Sequence, residues 1–483
     1  MSKPKLEMPS NPRYQPKDLI PYFGYDNLYR PFAMVEIANI ETLHEIGVIS
    51  KPDFKCLTTT KRRRILNITT TEVDKIEREI THHDARAWVQ RGQEIVGPRL
   101  GRWLHLMLTS CDALDTANIL RFKNAYENVT RPSLKKLILL FADKVEKEAA
   151  TLQIGRTHRQ HALPITAGFW LATILSRLLN NFEEMERCSK MFKGKISGAV
   201  GAYNAQYGLG ITEMCGNVSF EERLLRKLGL EPARISTQIL PPEYYTNFLF
   251  ACAMTSATLG QFGRDCRCLM STEIGEVSEP FEKNQVGSST MAHKRNPITF
   301  ENLEGTWEKT KSSLNLLSSL QISDHQRDLT GSSLMRDLPI FMINLQHQTD
   351  SLLREKNGVP FISRIAIDFN ACRKNFEMSK NVILAEPLYI ALQMAGYEGD
   401  AHNLVNHTLM PIAINNGVTL GKALDYYCTE HENDELAETV IEIWHKIPDE
   451  IMILLGTPER YVGLAKEKAL EIAALAREMV ATT

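Results

Sequence analysis

The densest chemistry in the chain lies in Gly287-Ser288-Ser289-Thr290-Met291-Ala292-His293-Lys294-Arg295-Asn296-Pro297, followed by Glu301. Hydroxyls, an imidazole, cations, an amide and a carboxylate fall within fifteen positions, opened by a glycine and closed by a proline. One reading is a solvated turn ahead of a helix starting near Pro297, since loops are polar in any case. The chemical reading is a mobile lid. Lys294 and Asn296 can hold an anion, and a serine deprotonated beside a cation can act as a base.

Other polar segments offer complementary groups. Thr157-His158-Arg159-Gln160-His161 precedes Pro164 and the apolar run from Ile165, which places two imidazoles at a helix entrance. A satisfied structural histidine is the alternative there. His83-Asp84 pairs an imidazole with a carboxylate or caps a helix from Ala85. Thr109 and Ser110 offer adjacent hydroxyls, with N-capping by Ser110 or Asp112 as the plainer role. Arg327 and Arg336 flank the hydroxyls of residues 330–333; capping or ion pairing explains one of them but not the set. With Arg13, these segments supply cations, hydroxyls, imidazoles and amides, but few carboxylates and no metal-ligand cluster. Such a site suits a substrate with several negative charges and indicates no cofactor. Separate candidates for base and acid suit proton removal from carbon followed by protonation of a leaving group.

The elements that must position these groups read as helices. Leu134, Leu137, Ile138, Phe141, Val145 and Ala149 recur at three- and four-residue steps, with Lys135, Lys136, Lys144, Lys147 and Glu148 on the other face. Stretches 162–192, 243–276 and 299–322 carry almost no proline or internal glycine and predict long helices. Thr457 and Pro458 predict the cap and first position of a last helix. Strand patterns are scarce, and no strand precedes a glycine-rich phosphate loop. The expectation is an all-α fold of three helical domains: 1–122, a long central bundle over 123–376 bearing loop 285–297, and 377–483.

Composition bounds the partners. The 483 residues hold 56 basic and 58 acidic side chains, a net charge of −2, which removes the electrostatic case for nucleic-acid or membrane-surface binding. The first residues lack the apolar core of a signal peptide and no window reaches a membrane span, so a cytoplasmic location is expected. Nine cysteines at irregular spacing read as reduced, mostly buried thiols.

GSSTMAHKRNP resembles the signature loop of the fumarase/aspartase superfamily, whose members eliminate or add across the carbon–carbon bond of fumarate. LTSCDALDTA, GRTHRQHALPIT, KISGAVGAYNA, STQILP, HQRDLTGSSLMR and the Arg13-Tyr14 pair resemble blocks of its adenylosuccinate lyase family, together covering roughly residues 10–400. The resemblance implies Ser288 as general base, His158 as general acid with Glu301 orienting it, and Lys294 and Asn296 on the carboxylate that becomes an aci-carboxylate. It implies Thr109, Ser110 and Gln238 on the succinyl part. Arg13, Tyr14, Arg327, Ser332 and Arg336 would surround the nucleotide phosphate, and His83 and Asp84 would line that site. It further implies cleavage of adenylosuccinate to AMP and fumarate, action on succinyl-aminoimidazole-carboxamide ribotide (SAICAR), and a homotetramer with active sites shared between subunits.

One residue departs from the family pattern: Ala292 stands where the loop usually has proline, which frees a fixed φ. The competing members are argininosuccinate lyase and a carboxymuconate cycloisomerase, whose substrates carry no phosphate for the Arg13-Tyr14 and Arg327 to Arg336 groups. A catalytically silent structural relative is the reading from another class, and the presence of Ser288, His158 and Lys294 argues against it.

Overall fold

A computed structural model describes residues 12–281, 290–291, 293–431 and 435–483, so Ser288 and Ala292 lie outside the described residues. Helices dominate, as the periodicity predicts. Those that matter below are α1 (Tyr29–Glu45), α2 (Asp84–Val96), α3 (Ser110–Ala125) and α4 (Arg131–Lys147). Strands β1 (Leu152–Thr157) and β2 (Gln160–Thr166) follow, then α5 (Ala167–Ser189) and α6 (Glu243–Leu269). Strand β3 (Val277–Ser278) precedes α7 (Ile298–Ser312), α8 (Thr330–Met335) and α9 (Ile340–Leu353). Strand β4 (Ala366–Ile367) pairs antiparallel with β3 and leads into α10 (Phe369–Glu377); α11 (Ala465–Thr482) ends the chain.

The residues group into two compact units. The first comprises Met1–Lys136, Asn180–Gly260 and Asn302–Leu353; the second comprises Leu137–Leu179, Gln261–Glu301 and Arg354–Thr483. In the first, Trp88 is fully buried with its ring 4.8 Å from Phe32, and Tyr126 and Phe192 each pack 5.0 Å from Phe248. In the second, Phe141 packs 4.9 Å from Phe262, and a separate cluster gathers Leu392, Val405, Leu409, Ala423, Leu424 and Val440 from C-terminal helices. Each such fully buried side chain contributes roughly 1.5–3 kcal/mol.

Four expectations are corrected. The 157–161 segment is not a helix entrance: β1 and β2 form an antiparallel hairpin with His158 and Arg159 as its two-residue turn. Pairing consumes residues 160–166, so α5 starts only at Ala167. The last helix starts at Ala465, because Pro458–Arg460 closes a single 3-10 turn. Lys144 and Glu148 are buried rather than on a wet face: the ammonium donates to the Ile365 carbonyl, and Glu148 accepts from Thr151 Oγ1 at 2.9 Å. A hydrogen-bond partner for each, a distant backbone carbonyl for Lys144 and a neighbouring hydroxyl for Glu148, offsets the desolvation that would otherwise expel these groups. As expected for reduced thiols, all nine cysteines are free and seven are buried.

Candidate active site

In the first unit, the candidate binding groups hang on two aspartates one turn apart on α3. Asp112 Oδ2 accepts from the backbone N–H of Thr109 at 2.7 Å, so Asp112 closes the helix start from the third position and Thr109 itself is the N-cap. Its Oδ1 accepts from Lys195 Nζ at 2.5 Å, from Ser197 N at 3.1 Å and from Gly198 N at 3.2 Å. Neither Asp112 nor Lys195 is exposed at all. One carboxylate thus fastens the Thr109-Ser110 turn to the glycine segment that follows Lys195.

That segment is fastened in turn to residues 236–240. Ser197 Oγ and Ser236 Oγ lie 2.7 Å apart, and Gly201, at φ +74°, brings its Cα so close that a Cβ would sit 2.0 Å from the Ser236 carbonyl oxygen. Only glycine fits there. Asp115 accepts from Leu240 N at 2.8 Å, which fixes the other end of the loop carrying Gln238. Burial, only partly offset by that bond and by the Lys195 and Arg327 cations, pushes the Asp115 carboxyl up to about 6.

Gln238 Oε1 accepts from Arg327 Nη1 at 3.0 Å, and Ser332 Oγ accepts from Arg327 Nη2 at 3.3 Å. Thr109, Ser110, Gln238, Arg327 and Ser332 therefore share one hydrogen-bonded frame. The Arg327 Nε is buried without a partner among the described residues. Arg336 is exposed just beyond α8. Tyr14 stands edge-on to His347, 5.8 Å away, and His347 Nε2 meets Asn302 Oδ1 at 2.8 Å; Arg13 beside Tyr14 is exposed. His83 caps α2, accepting from Arg86 N at 3.5 Å, with Asp84 3.3 Å away. Thr109 caps while half-buried, and His83 caps while exposed.

The second unit holds the remaining groups. His158 is exposed at the hairpin tip, and its ring makes no hydrogen bond to a described residue. Lys294 and Asn296 precede α7, with Lys294 exposed and its N–H donating to the Met291 carbonyl at 3.0 Å. Glu301 is exposed in the first turn of α7, and that helix start is satisfied by Glu279 accepting from Phe300 N at 2.8 Å. No hydrogen bond joins His158 to Glu301 within the described residues of one chain. Burial, then the Arg156 cation, holds the imidazole of His161 down in its neutral form.

Backbone strain marks the same places. Among the described residues, eight that are not glycine adopt positive φ: His82, His105, Met107, His158, Arg159, Tyr203, His325 and Asn357. His158 and Arg159 form the hairpin turn, Tyr203 and His325 lie in KISGAVGAYNA and HQRDLTGSSLMR, His82 precedes His83, and His105 and Met107 precede Thr109; Asn357 sits apart, in the turn between residues 355 and 360. Such conformations cost on the order of 1–3 kcal/mol each and persist where the surroundings over-determine them. Sequence reasoning missed Asp112, Asp115, Lys195, Ser197 and Ser236 as supports. Their signal was a paired carboxylate spacing within LTSCDALDTA and a lysine opening a glycine-rich run.

A family model described as a lyase, Lyase_1, matches residues 65–309. Solved structures of similar fold include a fumarate lyase from Mesorhizobium sp. BNC1 (TM-score 0.78, 21% identity, 96% of this chain and 100% of that one). A 3-carboxy-cis,cis-muconate lactonizing enzyme from Pseudomonas putida is another (TM-score 0.77, 21% identity, 96% and 98% covered). Fold and family model together define a helical lyase of the fumarase/aspartase superfamily. The chain is 32% identical over 481 residues to adenylosuccinate lyase of Pyrococcus horikoshii, with 98% of each covered, and 30% identical over 474 residues to that of Archaeoglobus fulgidus, with 98% and 99% covered. It belongs to the adenylosuccinate lyase family.

Proposed function

We propose that this chain cleaves adenylosuccinate to AMP and fumarate by β-elimination, and cleaves SAICAR in the same way. The observation that carries the reading is Arg327 bridging Gln238 and Ser332, in a chain related end to end to adenylosuccinate lyases. A guanidinium pre-oriented by two polar partners suits a phosphate or a carboxylate, and the end-to-end relatedness to adenylosuccinate lyases favours the phosphate.

In the proposed reaction Ser288 takes the proton from the succinyl carbon, and that electron pair becomes the new carbon–carbon double bond. The carbon–nitrogen bond breaks and the departing amine takes a proton from His158. Lys294 and Asn296 meet the charge that builds on the aci-carboxylate, where fixed donors act most strongly. Thr109, Ser110 and Gln238 hold the succinyl part. Arg13, Tyr14, Arg327, Ser332 and Arg336 hold the nucleotide, alongside His83 and Asp84. Glu301 orients His158.

The exposure of His158, Lys294 and Glu301 on a single chain supports a site completed by other copies. The reading is a homotetramer of three-domain subunits (1–122, 123–376 and 377–483) with the central helices as its core. No described helix is long and apolar enough to cross a membrane, and a cytoplasmic location is part of the proposal.

The test is turnover of adenylosuccinate followed by fumarate absorbance, with equimolar AMP expected. Inertness toward adenylosuccinate with turnover of argininosuccinate or a carboxymuconate overturns it. Mixing inactive His158→Ala and Ser288→Ala proteins under subunit exchange tests the shared site: activity returns if the two residues come from different chains. No recovery despite proven exchange assigns them to one chain.

A further inference from the structure

The tip carrying His158 is strained and solvent-exposed, yet everything beneath it is fixed. The two turn residues have φ +52° and +64°, a conformation for which asparagine and glycine are the usual choices in a two-residue hairpin. Histidine and arginine there keep the turn only if the strands below impose it. The register slips between Ile154 and Arg156, with Gly155 at the bulge, where a Cβ would sit 2.8 Å from the Leu163 carbonyl oxygen. A bulge re-aims the strand beyond it. Arg156, the first residue beyond, donates through Nη2 to Glu276 Oε1 at 2.6 Å and through Nη1 to Glu276 Oε2 at 3.0 Å.

Glu276 is wholly buried. Its carboxylate also accepts from Gln153 Nε2 and from Asn375 Nδ2, each at 2.8 Å. Its N–H donates to the Leu269 carbonyl and its own carbonyl accepts from Asp368 N, each at 2.9 Å. The opposite strand is pinned as well: His161, the register partner of Arg156, places Nδ1 2.6 Å from Ser379 Oγ, just past α10. Four side-chain hydrogen bonds converge on this carboxylate, three of them from the β1 strand of the hairpin.

We infer that Glu276 is a positioning residue for the reaction: through Arg156, and with His161–Ser379 on the other strand, it fixes where the His158 imidazole stands. This rests on the proposed role of His158 as general acid. Displacing a proton donor by about 1 Å costs up to about 10²-fold in rate without removing a binding contact. The effect belongs in kcat and not in ground-state affinity.

The experiment compares kcat and KM for adenylosuccinate, AMP affinity and thermal midpoint in the full-length enzyme. Glu276→Gln, which sets an amide N–H2 against two of the four donors, is expected to lower kcat tenfold or more, with KM and AMP affinity within about threefold. Arg156→Lys, which keeps a cation for Glu276, should recover part of the kcat that Arg156→Met loses. If Glu276→Gln does not fold, the double variant Arg156→Met/Glu276→Met removes both buried charges and is expected to fold with low kcat. Ser379→Ala disturbs no charge and decides the matter if neither folds, with kcat expected to fall about threefold at unchanged KM. Wild-type kcat in a folded Glu276 variant, or in Ser379→Ala when it alone folds, overturns the inference. His158→Ala run alongside separates the two failures: full activity there overturns the acid role itself, whereas inactivity there with normal clamp variants overturns only the clamp.

Discussion

Lys195 Nζ lies 2.5 Å from Asp112 Oδ1 with neither side chain exposed, and the pair joins the start of α3 to the head of the glycine segment 83 positions further along the chain. A buried pair like this is worth little against an apolar replacement of both partners, but breaking it from one side strands a charge. Lys195→Met is therefore expected to cost about 3–5 kcal/mol in urea denaturation. The double variant Lys195→Met/Asp112→Asn should regain part of it, because no unpaired charge stays buried and the asparagine oxygen still accepts from Ser197 N and Gly198 N. A Lys195→Met protein as stable as wild type would mean that the pair is not formed in solution.

Arg336 is exposed, whereas Arg327 is held by Gln238 and Ser332. Arg336→Ala is expected to weaken AMP binding about tenfold or more, since a charge-assisted hydrogen bond is worth about 1.5–3 kcal/mol, while fumarate affinity stays within about twofold. Calorimetric titration of both ligands decides it, and equal weakening of the two moves Arg336 away from the nucleotide.

Asp115 makes the frame pH-dependent. Its carboxyl is pushed up to about 6 from an ordinary value of 3.8, so the folded state holds the proton more tightly than the unfolded chain does. The stability this confers is fully present below about pH 4 and is lost as pH rises through about 6. Ionised Asp115 therefore costs stability at neutral pH, up to about 3 kcal/mol for a displacement of that size. Asp115→Asn keeps an acceptor for Leu240 N. It should be the more stable protein at pH 7, by a margin that shrinks as pH falls toward 4.5. A margin independent of pH would remove Asp115 as the source.

The long helices were legible because their apolar spacing is local: Leu134 through Val145 announce α4 without any knowledge of a partner. The burial of Lys144 was not, since its acceptor is the carbonyl of Ile365, 221 positions away. The hairpin at 152–166 was missed because Leu163-Pro164-Ile165 reads equally as the start of an apolar helix, and the turn uses histidine and arginine where the usual signal is asparagine-glycine. Site residues were legible as types in short polar segments. That Asp112 and Asp115 support them is a tertiary fact, set by segments some 85 and 125 positions beyond them.

The approach to Thr109 contains a second titrating contact. His105 Nδ1 lies 2.6 Å from Glu36 Oε1, and its backbone N–H donates to Glu36 Oε2 at 2.8 Å; Asn39, one turn along α1, donates to the Leu106 carbonyl at 3.1 Å. His105 and Met107 both adopt positive φ, so α1 holds a strained segment in place immediately before the candidate succinyl-binding hydroxyls. Burial lowers the imidazole pKa, but the hydrogen bond and charge of Glu36 outweigh it and the net displacement is upward, with Asp112 adding to it and Arg86 opposing it. A raised histidine stabilises the fold fully below its unfolded value of about 6.5 and loses that contribution as pH rises through the folded value. Glu36→Gln should thus be less stable than wild type by roughly 1–3 kcal/mol near pH 6, and the gap should close toward pH 9. Denaturant titrations at both values measure it, with KM for adenylosuccinate expected to rise in the variant because Thr109 and Ser110 follow the displaced segment. A stability gap unchanged from pH 6 to pH 9 would show that His105 does not carry the charge.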